Sequence, residues 1–242
     1  MQISLSIFEL ESDLRRHIGN LNLSRSWVLI NQLVKTGNLR TVHIDIMRPS
    51  LIPSTTSFPI PLIRQLYEML RDKIPLDLHF MVKNPFPIIW KINNFMLEED
   101  REETVIFIQR ESFKSEEETI RALNLLRKYG YSAGICINLP TPFKLLTADI
   151  INAADHVLLM SVPMGRGGQK FCEEAKERIS TIVESYPETT VWVDGGINEQ
   201  TIIKVFEAGA KVAVVGSFLT RSAEPERTLM NLYASLRKRQ KP

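Results

Sequence analysis

Residues 41–47 of this chain read Thr-Val-His-Ile-Asp-Ile-Met, an alternation of polar and apolar side chains that is rich in β-branched residues. The pattern predicts a β-strand, in which residues two apart share a face. His43, Asp45 and Met47 would therefore point one way, and the two isoleucines the other. Taken alone, such alternation is typical of a strand with one solvated face.

A second histidine-bearing strand follows one helix later and favours burial of both strands. Residues 76–81 read Leu-Asp-Leu-His-Phe-Met, and the flanking segments are typical of a parallel α/β sheet, which is covered on both faces. Two imidazoles and a carboxylate at adjacent buried strand ends need a partner, and a divalent metal ion would satisfy all three. The alternative is that histidines are core residues satisfied by hydrogen bonds, which suits His17 and His156 because they lie outside any cluster.

Strand and helix patterns alternate along the whole chain, with turn residues between them. The predicted strands cover residues 3–7, 41–47, 76–81, 104–109, 133–138, 156–161, 190–194 and 211–216. The predicted helices cover residues 12–18, 24–34, 61–71, 86–96, 115–130, 142–152, 171–186, 198–208 and 224–237. Eight strand–helix units with no composition break predict one (β/α)8 TIM barrel of parallel strands, a single domain over residues 1–242. The alternative is an open doubly wound sheet.

Composition is that of a globular protein and excludes several other classes. Of the 242 residues, 44% are hydrophobic and 24% charged, and the net charge of +2 is too small to indicate nucleic acid or an anionic membrane. No apolar run approaches the roughly 20 residues of a membrane span, and Glu9 interrupts the only apolar stretch near the N-terminus, so no signal peptide is predicted. Cys136 and Cys172 give no disulfide framework and fit a reducing cytosol. We expect a cytoplasmic protein without membrane or nucleic-acid partners; a homo-oligomer stays open.

In a barrel of this kind the functional site lies at the C-terminal ends of the strands. Asp45 and His79 stand near the ends of neighbouring predicted strands, and Asp194 ends the seventh. The second and seventh strands are far apart around the ring, so Asp45 and Asp194 should face each other across the pocket. Two opposed carboxylates suit acid/base chemistry on opposite faces of one carbon.

Glycines mark a predicted phosphate site at the same end of the barrel. They follow the sixth strand at residues 165–169, the seventh at Gly195-Gly196 and the eighth at Gly216-Ser217. Glycine lets backbone N–H groups converge on an anion, and barrels often hold phosphate at the last two of these loops. Because glycine after a strand is also ordinary in turns, it is the shared location of the three loops that predicts the site.

Five motifs, in order along nearly the whole chain, resemble those of the ribulose-phosphate 3-epimerase family. They cover residues 43–47, 77–82, 159–162 with 165–169, 193–197 and 215–217. The resemblance implies a ribulose-phosphate-binding barrel. It further implies that His43, Asp45, His79 and Asp194 are metal ligands, that Asp45 and Asp194 are the catalytic proton-transfer pair, that Ser6, Met47, Met81 and Met160 contact substrate, and that Gly168, Gly195, Gly196, Gly216 and Ser217 bind phosphate.

The resemblance also implies a reaction, metal-dependent epimerisation at C3 of a ketose phosphate through an enediolate. The substrate would be ribulose 5-phosphate and xylulose 5-phosphate, or a related pentulose or hexulose phosphate. One divalent ion, which the ligand set leaves as Zn, Mn, Fe or Co, would polarise the carbonyl as a Lewis acid. One aspartate would remove the proton and the other return it to the opposite face. The methionines would exclude water without adding a competing proton donor.

Several positions depart from the family's pattern, and all lie at the mouth of the predicted barrel. An Arg-Pro pair at Arg48 replaces Asp-Gly after strand two, residues 53–58 and 163–168 differ from the usual loops, and Gln109 stands where strand four typically ends in histidine. No ligand or proton carrier is removed, so the departures concern the substrate rather than the reaction type. Arg48 and Arg166 would each either contact an anionic or bulkier substrate or be exposed loop cations.

Two alternatives to an epimerase follow from the same residues. Sugar-phosphate decarboxylases of related barrels carry Asp-x-Lys on a central strand, where this chain has Asp77-Leu78-His79, which argues against them. The other is a degenerate barrel that binds a phosphosugar without turnover. The intact ligand set argues against this second alternative, and the altered loops keep it open.

Overall fold

Eight parallel strands close into a barrel in the computed structural model of the chain, which describes residues 1–53 and 55–239. Each strand pairs with the next in sequence, and the last pairs with the first. The strands are β1 (Gln2–Ser6), β2 (Thr41–Met47), β3 (Leu76–Met81), β4 (Val105–Gln109), β5 (Ser132–Ile137), β6 (His156–Met160), β7 (Thr190–Asp194) and β8 (Val212–Val215). The helices are α1 (Glu11–Arg16), α2 (Arg25–Lys35), α3 (Ile60–Leu70), α4 (Phe86–Asn93), α5 (Glu98–Arg101), α6 (Glu116–Lys128), α7 (Ala148–Asn152), α8 (Glu174–Ser185), α9 (Thr201–Glu207), α10 (Ser217–Thr220) and α11 (Pro225–Arg239). The predicted (β/α)8 barrel is confirmed, and the open doubly wound sheet is excluded.

The strands are covered on both faces. All seven residues of β2 are buried, which rules out a half-exposed strand there. Ile44 and Ile46 belong to the large apolar layer that the strands share with the helices, whereas Phe107 and Trp192 fill the inside of the barrel with ring centroids 5.1 Å apart. Full burial of such a side chain contributes roughly 1.5–3 kcal/mol to the free energy of unfolding. The packed interior therefore holds the polar groups at the barrel mouth in fixed positions.

Two predicted helices are shorter in the structure. The helix predicted over 86–96 ends at Asn93, and α5 is a separate helix that follows an extended Leu97 beyond the predicted segment. The segment 142–152 is wrong as one helix, since a 3₁₀ turn (Phe143–Leu145) precedes α7. Thr147 is extended between them, and its side chain caps α7 by accepting from a backbone N–H of the first turn.

Two other helices begin later than predicted because their first residues serve the preceding loop. The Cys172 N–H donates to Ser161 O at 3.0 Å, so α8 begins at Glu174 rather than at residue 171. The Asn198 side-chain oxygen accepts from the N–H of Thr201, and α9 begins there rather than at residue 198. The strands, in contrast, agree with their predicted bounds to within one residue at each end.

Part of the loop predicted at residues 53–57 cannot be compared, because Ser54 lies outside the described residues. Within the ranges that are described, no helix is both long enough and apolar enough to cross a membrane.

Candidate active site

Two histidines and two aspartates meet at the C-terminal mouth of the barrel. One ligand atom from each of His43, Asp45, His79 and Asp194 lies within 4.8 Å of the others. The first two side chains come from β2, His79 comes from β3, and Asp194 ends β7. The structure thus brings together four residues that the sequence singled out, from strands that are far apart in the chain.

Asp45 is the centre of this cluster. Its Oδ1 lies 3.3 Å from His43 Nε2 and 3.2 Å from His79 Nδ1. The hydroxyl of Ser6, at the end of β1, donates to Asp45 Oδ2 at 3.0 Å. Ser6 therefore orients the carboxylate, a role beyond the substrate contact that was predicted for it, and it also lines the cleft above.

His43 indicates that the cluster fits a cation. Its side chain is fully buried, and its Nε2, which faces Asp45, has no hydrogen-bond partner among the described residues. An unpaired buried ring nitrogen costs free energy, and a cation at the shared centre would remove that cost. Two imidazoles and two carboxylates are a donor set that suits a divalent first-row transition metal.

The pKa values of the two aspartates are shifted in opposite directions. Burial, together with the nearby charge of Asp45, raises the pKa of Asp194 to about 7. Burial would also raise the pKa of Asp45, but the nearby charge of His43 and the hydrogen bond with His79 outweigh it and hold that pKa below its usual range. Environments that push two carboxylate pKa values apart are typical of an acid and base pair.

Two further buried side chains contact the histidines from outside the cluster. Asp77 lies against His43 Nδ1 and accepts hydrogen bonds from two buried hydroxyl groups. Gln109 lies 2.7 Å from His79 Nε2. The sequence assigned no role to Asp77, although its spacing of two residues from His79 places both on one strand face. Its position opposite His43 follows from the register of β2 and β3, which no local pattern reveals.

A cleft with about 570 Å³ of empty space opens above the cluster. The three methionines predicted as its apolar wall, Met47, Met81 and Met160, line it and are buried. The predicted phosphate-binding residues that line it are Gly168, Gly195, Gly196, Gly216 and Ser217. Gly196 has a φ of 61°, and a Cβ there would lie 2.3 Å from the backbone nitrogen of Phe171. Only glycine fits at this point of the cleft.

An ion pair at the rim of the cleft was not predicted. The Arg221 guanidinium donates to both carboxylate oxygens of Glu9, at 2.8 and 2.6 Å. Glu9 lines the cleft, and Arg221 lies beside Gly168 and Ser217 in the adjoining groove. A separation of 212 residues leaves no sequence pattern by which this pair could have been found.

The two arginines of the altered loops have different surroundings. Arg166 is exposed and lines the cleft. Arg48 is partly buried and donates to the backbone oxygens of Met47 and Ser57, both at 2.6 Å. It also reaches the carbonyl of Phe58, a residue with a left-handed φ of 47°. Arg48 is therefore not the exposed loop cation of one prediction, because this side chain ties the loop to the end of β2; a contact with substrate stays a prediction.

The remaining histidines lie away from the cluster and are hydrogen-bonded, as predicted. His17 Nδ1 lies 2.8 Å from the Asp13 carbonyl oxygen, but the side chain is 30% exposed and does not belong to the core. His156, at the start of β6, accepts from Trp192 Nε1 at 3.3 Å and lies 3.0 Å from the Ser132 hydroxyl.

Known proteins are similar to this chain over most of its length. A model described as the ribulose-phosphate 3 epimerase family matches residues 20–220. The ribulose-phosphate 3-epimerase of Aquifex aeolicus is 32% identical over 202 residues, which span 79% of this chain and 83% of that protein. The cytoplasmic isoform of ribulose-phosphate 3-epimerase from Oryza sativa subsp. japonica is 30% identical over 204 residues, 81% of this chain and 82% of its own length. The structure of 3-hexulose-6-phosphate synthase from Salmonella typhimurium has the same fold, with a TM-score of 0.68 at 15% identity over 98% of this chain and 99% of that one. The chain belongs to the ribulose-phosphate 3-epimerase family.

Proposed function

We propose that this protein catalyses metal-dependent epimerisation at C3 of a ketose phosphate, either ribulose 5-phosphate and xylulose 5-phosphate or a related pentulose or hexulose phosphate. One observation carries the proposal: Asp45 and Asp194, from strands that are not neighbours, converge on the same two buried histidines beneath a glycine-rimmed cleft. The names of the curated relatives support this reaction. The altered loops leave the choice among ketose phosphates to experiment.

His43, Asp45, His79 and Asp194 would hold one divalent ion, Zn, Mn, Fe or Co. When bound, the ion would act as a Lewis acid on the carbonyl beside the reacting carbon. The orphaned Nε2 of His43 supports this assignment.

The two aspartates would move the proton at C3. One carboxylate removes it to give an enediolate, and the other delivers a proton to the opposite face. Their opposite pKa directions, Asp45 lowered and Asp194 raised to about 7, already favour one base and one acid at neutral pH. The buried methionines of the wall would exclude water and offer no competing proton.

Backbone N–H groups at the glycine-rich rim would bind the phosphate. The residues are Gly168, Gly195, Gly196, Gly216 and Ser217, which all line the cleft. Arg221 lies beside Gly168 and Ser217 in the groove outside them, but its charge is paired with Glu9, so the backbone N–H groups would carry the binding.

The proposed reaction is tested by incubating the purified protein with ketopentose and ketohexose phosphates in D2O and following deuterium at C3 by NMR. A substrate of the enzyme gains deuterium and gives its C3 epimer. A protein with a full complement of metal that binds these compounds but neither exchanges nor epimerises any of them would instead be the degenerate phosphosugar-binding barrel.

We further propose that residues 1–242 form one domain, since the strands that close the barrel run from β1 to β8 without an inserted unit among the described residues. A cytoplasmic location is supported by the name of the rice relative. A homo-oligomer stays a prediction that sedimentation of the purified protein would test.

Replacing Gly196 with alanine should weaken phosphate binding. The added Cβ would lie 2.3 Å from the Phe171 nitrogen, so the backbone around residue 196 must shift. Its N–H groups would then no longer point at the phosphate. Since a hydrogen bond to a charged group contributes roughly 1.5–3 kcal/mol, losing one should raise the Kd for inorganic phosphate about 10–100-fold. Isothermal titration calorimetry would measure this change.

Gly37→Ala is the matched control for this substitution. Gly37 has a similar φ of 66°, and a Cβ there would meet no atom within 4 Å. Both variants therefore carry the backbone strain of alanine in a left-handed conformation, and only Gly196→Ala should lose phosphate affinity. Equal phosphate affinities in the two variants would contradict the proposed site.

Metal uptake should strengthen as the pH rises through about 7. The pKa of Asp194 is raised to about 7 by burial and by Asp45, and the pKa of His43 is raised, against the effect of burial, by Asp77 and Asp45. At pH 6 both groups hold protons that a cation must displace, whereas at pH 8 Asp194 has lost its proton. For each proton released, the Zn²⁺ affinity should fall about tenfold per pH unit below 7.

Calorimetry in buffers of different ionisation enthalpy would count the protons released. Asp194→Asn should lower that count at pH 6, because one of the titrating groups is gone. A count that is the same in both proteins would mean that Asp194 binds no proton that the metal displaces.

A further inference from the structure

The ring of His79 lies between two hydrogen-bonding groups inside the barrel. Its Nδ1 is 3.2 Å from Asp45 Oδ1, and its Nε2 is 2.7 Å from the side-chain nitrogen of Gln109. His79 and Gln109 are both fully buried. A neutral imidazole carries one proton, so the partner of one ring nitrogen decides whether the other offers a lone pair.

The amide of Gln109 can form a hydrogen bond with either tautomer of the His79 ring. With its N–H₂ toward His79, it donates to Nε2, and the ring proton then sits on Nδ1 and points at Asp45. In this arrangement Gln109 Oε1 is buried without a hydrogen-bond partner. A half-turn of the amide exchanges oxygen and nitrogen at almost unchanged shape. Oε1 then accepts Nε2–H, and Nδ1 presents its lone pair to the centre of the cluster.

Cys136 supports the turned arrangement. Its Sγ lies 3.3 Å from the amide atom of Gln109 that faces His79. Burial raises the pKa of this thiol well above its ordinary value, so it stays a weak S–H donor. An oxygen at that position would accept from both the ring and the thiol.

His43 offers a contrast within the same cluster. Its Nδ1 lies against the carboxylate of Asp77, which can only accept, so in the neutral ring Nδ1 carries the proton and Nε2 presents its lone pair to the centre. An amide both donates and accepts, and Gln109 is therefore the one of these two groups that can follow a change at the cluster.

We propose that Gln109 is a positioning residue whose amide turns with metal occupancy, donating to His79 Nε2 when the cluster is empty and accepting from it when a cation is bound. The inference rests on the proposed metal centre. A hydrogen bond of this kind to the outer nitrogen of a ligating histidine typically contributes 10–100-fold to metal affinity.

The test uses the full-length protein labelled with ¹⁵N-histidine and titrated with Zn²⁺. The ring ¹⁵N shifts of His79 should report Nδ1–H without metal and Nε2–H with zinc bound. Gln109→Met, which keeps the volume but cannot accept, should raise the Kd for Zn²⁺ about 10–100-fold. Gln109→Glu, which keeps the acceptor, should bind Zn²⁺ at least as tightly as the wild type.

Thr104→Val is the control for a buried polar group lost at the other end of β4. Thr104 is buried and donates to Asp100 O at 2.9 Å, so this variant should keep the Zn²⁺ affinity and both ring forms. Thermal unfolding without metal checks that each variant folds. Even if Gln109→Met does not fold, the wild-type spectra show whether the His79 ring proton moves from Nδ1 to Nε2 when Zn²⁺ binds.

The outcomes separate this inference from the proposal on which it rests. A wild type that takes up no Zn²⁺ overturns the metal centre and the role of Gln109 with it. A wild type that binds Zn²⁺ while His79 keeps one ring form throughout, or a Gln109→Met that binds it as tightly, overturns the role of Gln109 and leaves the metal centre standing.

Discussion

Replacing Asp45 or Asp194 with asparagine is expected to lower epimerisation by on the order of 10²–10⁴-fold or more, the usual contribution of a positioned acid or base. Asparagine has a similar volume and still offers an oxygen to a cation, but it cannot take up a proton. Asp45 lies on β2 and Asp194 ends β7, so each serves one face of the reacting carbon. Net inversion at C3 needs both.

The loss should be one-sided in each variant. With Asp194 changed, Asp45 still removes the proton from one epimer, so that epimer exchanges its C3 hydrogen in D2O while no product forms. With Asp45 changed, exchange should be confined to the other epimer. Proton NMR of each epimer in D2O, with the metal content of every sample measured, distinguishes these cases.

Asp155→Asn is the control for this pair. Asp155 precedes β6 at the foot of the barrel, where it accepts from Arg127 and from a backbone N–H. Its loss should cost some stability and leave turnover in place. Exchange of both epimers in Asp45→Asn or Asp194→Asn would show that the remaining aspartate reaches both faces, and the two-carboxylate mechanism would be wrong.

The architecture could be predicted because every strand carries its own local signal. Alternation in β2 and the apolar runs of the other strands gave bounds within one residue of those observed. The helices were predicted less accurately, since Thr147 interrupts the predicted segment 142–152 and caps a new helix through its own side chain. Such a choice between continuing a helix and capping a new one depends on packing that a propensity pattern does not contain.

The cluster could be predicted because its members end strands, and strand ends meet in a closed barrel. Contacts set by register or by loop closure could not. Arg48 was placed with the substrate or in solvent, yet its guanidinium binds three backbone oxygens of its own loop. The pair of Glu9 and Arg221 joins opposite ends of the chain. In both cases the side chain's partner is a carbonyl or a carboxylate that many positions could supply.

Removing the metal is expected to lower turnover by on the order of 10³-fold, since a Lewis acid contributes several kcal/mol at the developing charge and about 1.4 kcal/mol corresponds to tenfold in rate. Chelator-treated protein, checked by elemental analysis, should regain activity when Zn²⁺, Mn²⁺, Fe²⁺ or Co²⁺ is added back.

His43→Gln should produce the same loss of turnover without a chelator. The ring of His43 is fully buried, and its Nε2 faces the centre of the cluster, 3.3 Å from Asp45 Oδ1. The variant therefore removes one of the four ligand atoms that would hold the cation. His17→Gln is the control, because His17 is partly exposed and bonds a helix carbonyl away from the cluster. It should retain both metal and activity.

If fully stripped protein, or His43→Gln without detectable metal, catalysed the reaction at the wild-type rate, the aspartates alone would have to stabilise the enediolate. Two carboxylates that share the centre with it would raise its energy rather than lower it, which is why a cation is expected there.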